Sequence, residues 1–169
     1  MRNRRGATLI ELLVGAAILA IAVTAVLGAY CMHMELTESA RIVTWAANDA
    51  NRVMERLRRE NAGAGCATPS ANPPAGFASW DAWLADATAN GGGGKSVQPN
   101  PAANELVVVT PSGVDPMTVT VAVCWRQRNY TRGECTWNGA ALAANPAAGG
   151  NPAITESTAM LSTLLTCRR

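Results

Sequence analysis

The feature that most limits what this chain can fold into is an apolar run from Ala7 to Met34, preceded by Arg2, Arg4 and Arg5 and carrying a single carboxylate, Glu11, near its start. As a helix, such a run is long enough to cross the ~30 Å of bilayer hydrocarbon. A charged side chain in hydrocarbon costs roughly 3 kcal/mol or more, so the acid needs a partner. No Lys or Arg lies between Gly6 and Arg41. The partner must come from elsewhere, and a cut after Gly6 would create one in the new α-amine of Ala7. An adjoining copy, shifted along the helix axis, brings that amine within reach of Glu11.

The stretch Arg5-Gly6-Ala7-Thr8-Leu9-Ile10-Glu11-Leu12-Leu13-Val14 resembles the class III signal of type IV pilins and type II secretion pseudopilins. Gly6 falls before the cut and Glu11 is fifth after it. The resemblance implies cleavage between Gly6 and Ala7 by a membrane prepilin peptidase, N-methylation of Ala7, and Glu11 as an assembly contact. Ala7 stands where that family usually has phenylalanine. An ordinary secretory signal tolerates a core glutamate badly and needs small residues before its cut, for which Leu27-Gly28-Ala29 is a poor match. A lipoprotein signal would want a small residue before Cys31, where Tyr30 stands. A plain signal anchor with Glu11 at the cytoplasmic interface is the remaining alternative.

The formal charge is +2, and losing the leader arginines turns the balance slightly acidic, so nothing calls for a nucleic-acid partner. A basic leader before an apolar run leaves the arginines cytoplasmic and everything after Met34 outside. Of five cysteines, Cys31 lies in the apolar run. Cys66, Cys124, Cys135 and Cys167 fall in the exported part, as in a disulfide framework of an oxidising compartment. Three pairings are open; the preferred one joins Cys124 to Cys135 across a short loop and Cys66 to Cys167 across the whole exported part. No Cys-x-x-Cys occurs and the one histidine, His33, sits at the membrane boundary, so no metal site and no cofactor is expected. With no histidine and few acids, the exported part offers no catalytic cluster, and the chain is read as a non-enzyme.

No proline interrupts residues Ala7 to Asn61, which predicts one helix of about 80 Å, longer than a bilayer is thick. Its second half must therefore pack on something. Leu36, Ala40, Val43, Ala47, Ala50, Met54 and Leu57 alternate spacings of four and three as an apolar stripe, opposite Glu38, Arg41, Asp49, Arg52, Glu55, Arg56 and Arg59. Asn61, Gly63 and Gly65 supply a stop. Gly28 sits where major pilins commonly carry a helix-loosening proline.

Residues Gly63 to Asn104 read as a mobile connection with a short helix, Ser79 to Ala87, capped by Ser79, whose Trp80, Trp83 and Leu84 anchor the loop to the core rather than bind a sugar. Gly91-Gly92-Gly93-Gly94-Lys95-Ser96 lacks the Walker spacing and reads as a flexible turn. Glu105 to Thr110 and Met117 to Trp125 are β-branched runs that predict an antiparallel hairpin. On it, Met117, Val119, Val121, Val123 and Trp125 face the helix and Thr118, Thr120 and Cys124 face away. Arg126 to Glu134 reads as an exposed basic loop, Asn138 to Asn151 as a second insertion, and Thr158 to Thr166 as a last strand.

The expected fold is thus α+β and pilin-like, a long N-terminal helix on a small antiparallel sheet with disulfide-bonded loops. The expected divisions are 1–6 leader, 7–34 membrane and filament-core half, 35–61 amphipathic half, and 62–169 head. The helix end around Met54-Glu55-Arg56-Leu57, the Trp-containing short helix and the Val-rich strand ending in Trp125 resemble the minor pilins called type IV pilus modification proteins (PilV). That resemblance implies a minor pilin in the inner membrane with its C-terminus periplasmic, then in the pilus. Its partners would be prepilin peptidase, other major and minor pilin subunits and the assembly platform. A type II secretion pseudopilin, or a membrane-anchored exported domain of other function, is the alternative.

Overall fold

The computed structural model describes residues 8–62, 66–97, 104–127, 130–133, 135–144 and 159–167. Helix α1, Leu9–Glu60, is unbroken through Gly28, around which there is open space. The chain separates into two compact units, one ending at Arg41 and the other running Ile42–Arg169. In the first, the side chains of α1 are almost wholly exposed.

In the second unit, α1 buries Ile42, Ala46, Asp49, Ala50, Val53, Met54 and Leu57. This corrects the predicted stripe. Ala50, Met54 and Leu57 belong to it, but Leu36 is exposed, Val43 and Ala47 are half-buried, and Asp49, expected in water, is fully covered. A four-three alternation fits more than one angular phase of a helix, and the phase adopted puts the small Ala46 and Ala50 against the sheet. Asn61 closes the helix, its Nδ2 donating to the Leu57 carbonyl and the Ser70 carbonyl (both 2.8 Å) while its Oδ1 accepts from Ser70 N (2.7 Å). The predicted stops at Gly63 and Gly65 lie outside the described residues.

Helix α2, Trp80–Ala85, starts at Ser79, whose hydroxyl accepts from Ala82 N at 3.1 Å. Its Trp80, Trp83 and Leu84 are buried, the two indoles meeting edge to face at 5.6 Å. Both indole N–H groups donate to loop carbonyls, Trp80 to Ala71 (2.7 Å) and Trp83 to Asn90 (3.2 Å). Used in this way, the rings anchor the loop.

The sheet is centred on β2, Met117–Gln127. Strand β1, Glu105–Ser112, runs antiparallel along one side, from Glu105 opposite Trp125 to Ser112 opposite Thr118. Trp125 also pairs with Arg132 of β3, Tyr130–Arg132, so β3 lies on the other side, end to end with β6, Ala159–Leu165. The predicted basic loop is therefore partly strand. Strands β4, Cys135–Trp137, and β5, Leu142–Ala144, form a second small antiparallel sheet, and β5 falls inside the predicted insertion Asn138 to Asn151. Side-chain alternation sends Val119, Val121, Val123 and Trp125 to α1 and α2. Ala122 and Cys124 face the other way, against Cys135 and Leu142. Burying side chains of this size stabilises by about 1.5 to 3 kcal/mol each. Disulfides join Cys66 to Cys167 and Cys124 to Cys135, while Cys31 is a free, exposed thiol.

Candidate functional site

Leu9 through Arg41 is a helix that presents its apolar residues outward. Leu9, Ile10, Leu12, Leu13, Ile18, Leu19, Ile21, Val26 and Leu27 are each more than half exposed, and an 18-residue window reaches a mean hydropathy of 2.6 with none of it covered. An apolar face this extensive is not stable against water and marks contact with a lipid or another molecule. The two threonine hydroxyls on this helix bond to its own backbone, Thr24 Oγ1 donating to Ile21 O (2.9 Å) and Thr37 Oγ1 to His33 O (2.8 Å). That back-bonding is what a hydroxyl in hydrocarbon requires. It is the one helix among the described residues long and apolar enough to cross a membrane.

Glu11 lies in the first turn of α1, exposed, where Glu11 N and Leu12 N reach Thr8 O at 3.0 and 3.2 Å. A carboxylate there is favoured by the positive end of the helix dipole, by about 0.3 to 1 kcal/mol at a wet surface. It stands alone as a charged group from Leu9 through Met32. Gly6 and Ala7, expected to flank the cut, lie outside the described residues. Residues 1–27 match the family model described as the prokaryotic N-terminal methylation motif.

With the exposed apolar helix, that match supports a type IV pilin-like or pseudopilin precursor, anchored in a membrane before assembly. A signal of this class implies processing by prepilin peptidase and assembly with other pilins in general. Among curated proteins and solved structures, none matches the chain.

The head holds a second polar constellation, which sequence reasoning missed. The glycine run, predicted to be a flexible turn, is a strap fastened on both sides. Gly92 N donates to Trp83 O (2.7 Å), Gly93 N to Asp86 O (3.0 Å) and Gly94 N to Leu84 O (3.0 Å). From α1, the Arg52 guanidinium donates to Gly92 O (2.7 Å), Gly94 O (2.8 Å) and Ser96 Oγ (2.8 Å), and pairs with Asp49. Glycine is required because the strap runs against backbone: a Cβ on Gly91 would collide with the Asp86 carbonyl, and one on Gly92 would meet Leu84 Cα at 2.7 Å.

Beyond the strap, Lys95 Nζ pairs with Asp81 Oδ1 (2.7 Å) and donates to the Glu105 carbonyl (2.6 Å). Val107 N donates to the same Asp81 oxygen at 2.9 Å. Glu105 is 1% exposed; its Oε2 accepts from Val97 N (3.2 Å), while Oε1 meets no donor. Burial pushes its carboxyl from 4.5 up to about 8, helped by a hydrogen bond to Asp49 and by that group's charge, against the opposing pull of Lys95 and the Val97 N–H. As a carboxylate Glu105 would leave Oε1 unsatisfied beside another acid. One signal was available in the sequence: an Asp at position 49 set among the apolar Ala46, Ala50 and Val53 on a helix otherwise patterned for packing.

Proposed function

We propose that this chain is a minor pilin of a type IV pilus, of the pilus-modification (PilV) kind, with a structural and not a catalytic role. Prepilin peptidase cuts after Gly6, and the Ala7 amine is methylated. The first part of α1 then holds the subunit in the inner membrane with the head in the periplasm, where its disulfides form. Assembly moves the apolar helix from lipid into the filament core, so its surface remains covered throughout. The exception is Glu11, whose burial alone costs several kcal/mol and which becomes satisfied beside the Ala7 amine of a neighbouring subunit. A misregistered subunit leaves the acid unpaired, so the pair sets the register.

The observation that carries this reading is the coincidence of the methylation-motif match with a wholly exposed apolar helix bearing one acid, Glu11. In the test, Gly6→Val should leave the precursor uncut, seen as a retained leader in the intact mass. Glu11→Ala should be cut normally yet be depleted from sheared pili. Normal incorporation of the Glu11 variant would overturn the pairing role, and recovery of the wild-type chain with its leader attached would reduce it to a membrane anchor. The same leader and helix also serve type II secretion pseudopilins; a chain that co-purifies with a secretion complex and not with sheared pili would be one of those.

A further inference from the structure

Strand β1 is the last strand on its side of the sheet, so every second residue turns its backbone N–H and C=O away from β2. Two side-chain contacts fix which residues these are. Val107 N donates to Asp81 Oδ1 (2.9 Å), and the Glu105 carbonyl accepts from Lys95 Nζ (2.6 Å). The outward set is therefore Glu105, Val107, Val109 and Pro111. Asp81 and Lys95 close the first half of this edge. Pro111 ends it, since a proline has no N–H and is tolerated in a strand where that position faces away from the ladder. Between these limits the Val107 carbonyl and both backbone groups of Val109 have no hydrogen-bond partner among the described residues.

This open stretch borders a trench. A cavity of about 520 Å³ is lined by Val107, Val109 and Pro111 of β1, by Met117 and Trp80, and by the segment Pro69 to Pro73. That segment is fastened in place: both backbone groups of Ser70 bond to the Asn61 side chain, and the Ala71 carbonyl accepts from the Trp80 indole. None of the residues lining the trench is charged.

We propose, on the reading above that the chain assembles with other pilins, that this trench takes an extended, uncharged segment from the head of another subunit, added to β1 as a further strand. Main-chain bonds to Val109 set its register, and alternate side chains of the guest lie against the half-buried Val109 and Met117. The lining sets its composition, because a charge carried into the trench would lose water and meet no counter-charge. The open stretch offers the Val107, Val109 and Pro111 carbonyls as acceptors but only Val109 N as a donor, so the guest must bring N–H groups and no proline opposite them. A second copy's β1 is a poor guest: antiparallel pairing about Val109 sets each Val107 carbonyl opposite a Pro111 that has no N–H. The closed ends also keep the stretch too short for the unlimited pairing that a bare edge invites.

The test places a photo-crosslinking residue at Asn72, an exposed member of the lining, in the full chain in cells that assemble pili. The expected result is a product with another pilin, mapped by mass spectrometry to an extended segment of its head. Val109→Pro removes only the outward N–H, as Pro111 already does two residues on, so it should lose the product while the urea midpoint of the head stays in place. Val109→Thr keeps the N–H and should keep the product. No product from assemblies that contain the chain, a product with a helix or with β1 of a second copy, or one that survives Val109→Pro would overturn the strand addition. Should Val109→Pro lower the urea midpoint, amide exchange of the wild-type chain decides. Val109 N–H should exchange freely in micelles and be protected in the assembly, and equal exchange in both would overturn the proposal. A chain found only in a secretion complex would overturn the pilus reading alone, since the same crosslink is read there.

Discussion

Removing the Cys66–Cys167 bridge should destabilise the head more than removing Cys124–Cys135, and the margin can be worked from the chain. The first closes a sequence separation of 101 residues and the second one of 11. If a bridge acts by restricting the unfolded chain, the longer loop contributes about 4.7 kcal/mol and the shorter about 3 kcal/mol. The difference, about 2 kcal/mol, follows from the logarithm of the loop lengths alone. Against a total stability on the order of 5 to 15 kcal/mol, the loss of the longer bridge is severe. Each pair is replaced by alanine, because Cys124 and Cys135 are 0% and 8% exposed and a buried serine hydroxyl would add a desolvation penalty of its own. The assay is urea unfolding of the full chain in micelles, followed by tryptophan fluorescence. Equal costs, or a larger cost for the Cys124–Cys135 pair, would refute the loop-entropy argument and place the value of the short bridge in the packing of β4 and β5 against the back of the sheet.

Two further outcomes are expected. Arg52→Ala removes the guanidinium that holds Gly92, Gly94 and Ser96 and leaves Asp49 buried with less compensation, so it should cost about 3 to 5 kcal/mol. Thermal unfolding beside the milder Asn51→Ala, an exposed neighbour, checks it. Gly91→Ala forces a methyl into the Asp86 carbonyl and should cost about 1 to 3 kcal/mol, seen as a lowered urea midpoint; a neutral result would mean that the strap can shift to make room.

Much of this protein is written locally. Apolar length, a basic leader, one acid at position 11 and the absence of proline to Asn61 determine a long helix that must leave water, because transfer of apolar side chains and the cost of a lone charge depend on composition and not on neighbours in space. Period-two alternation in β2 likewise assigns its two faces, since a strand has no other choice of phase. The phase of the α1 stripe was another matter: Ile42, Ala46 and Val53, not Leu36 and Val43, are its centre because the sheet and α2 select the angle. Tertiary structure alone decided that Gly91 to Gly94 are a fastened strap, that Cys135 to Ala144 fold back as a hairpin, and that Asp49 and Glu105, distant in sequence, are both buried and take the consecutive amides of Ser96 and Val97. Each of these depends on long-range hydrogen bonds and desolvation, which exist only once distant segments meet.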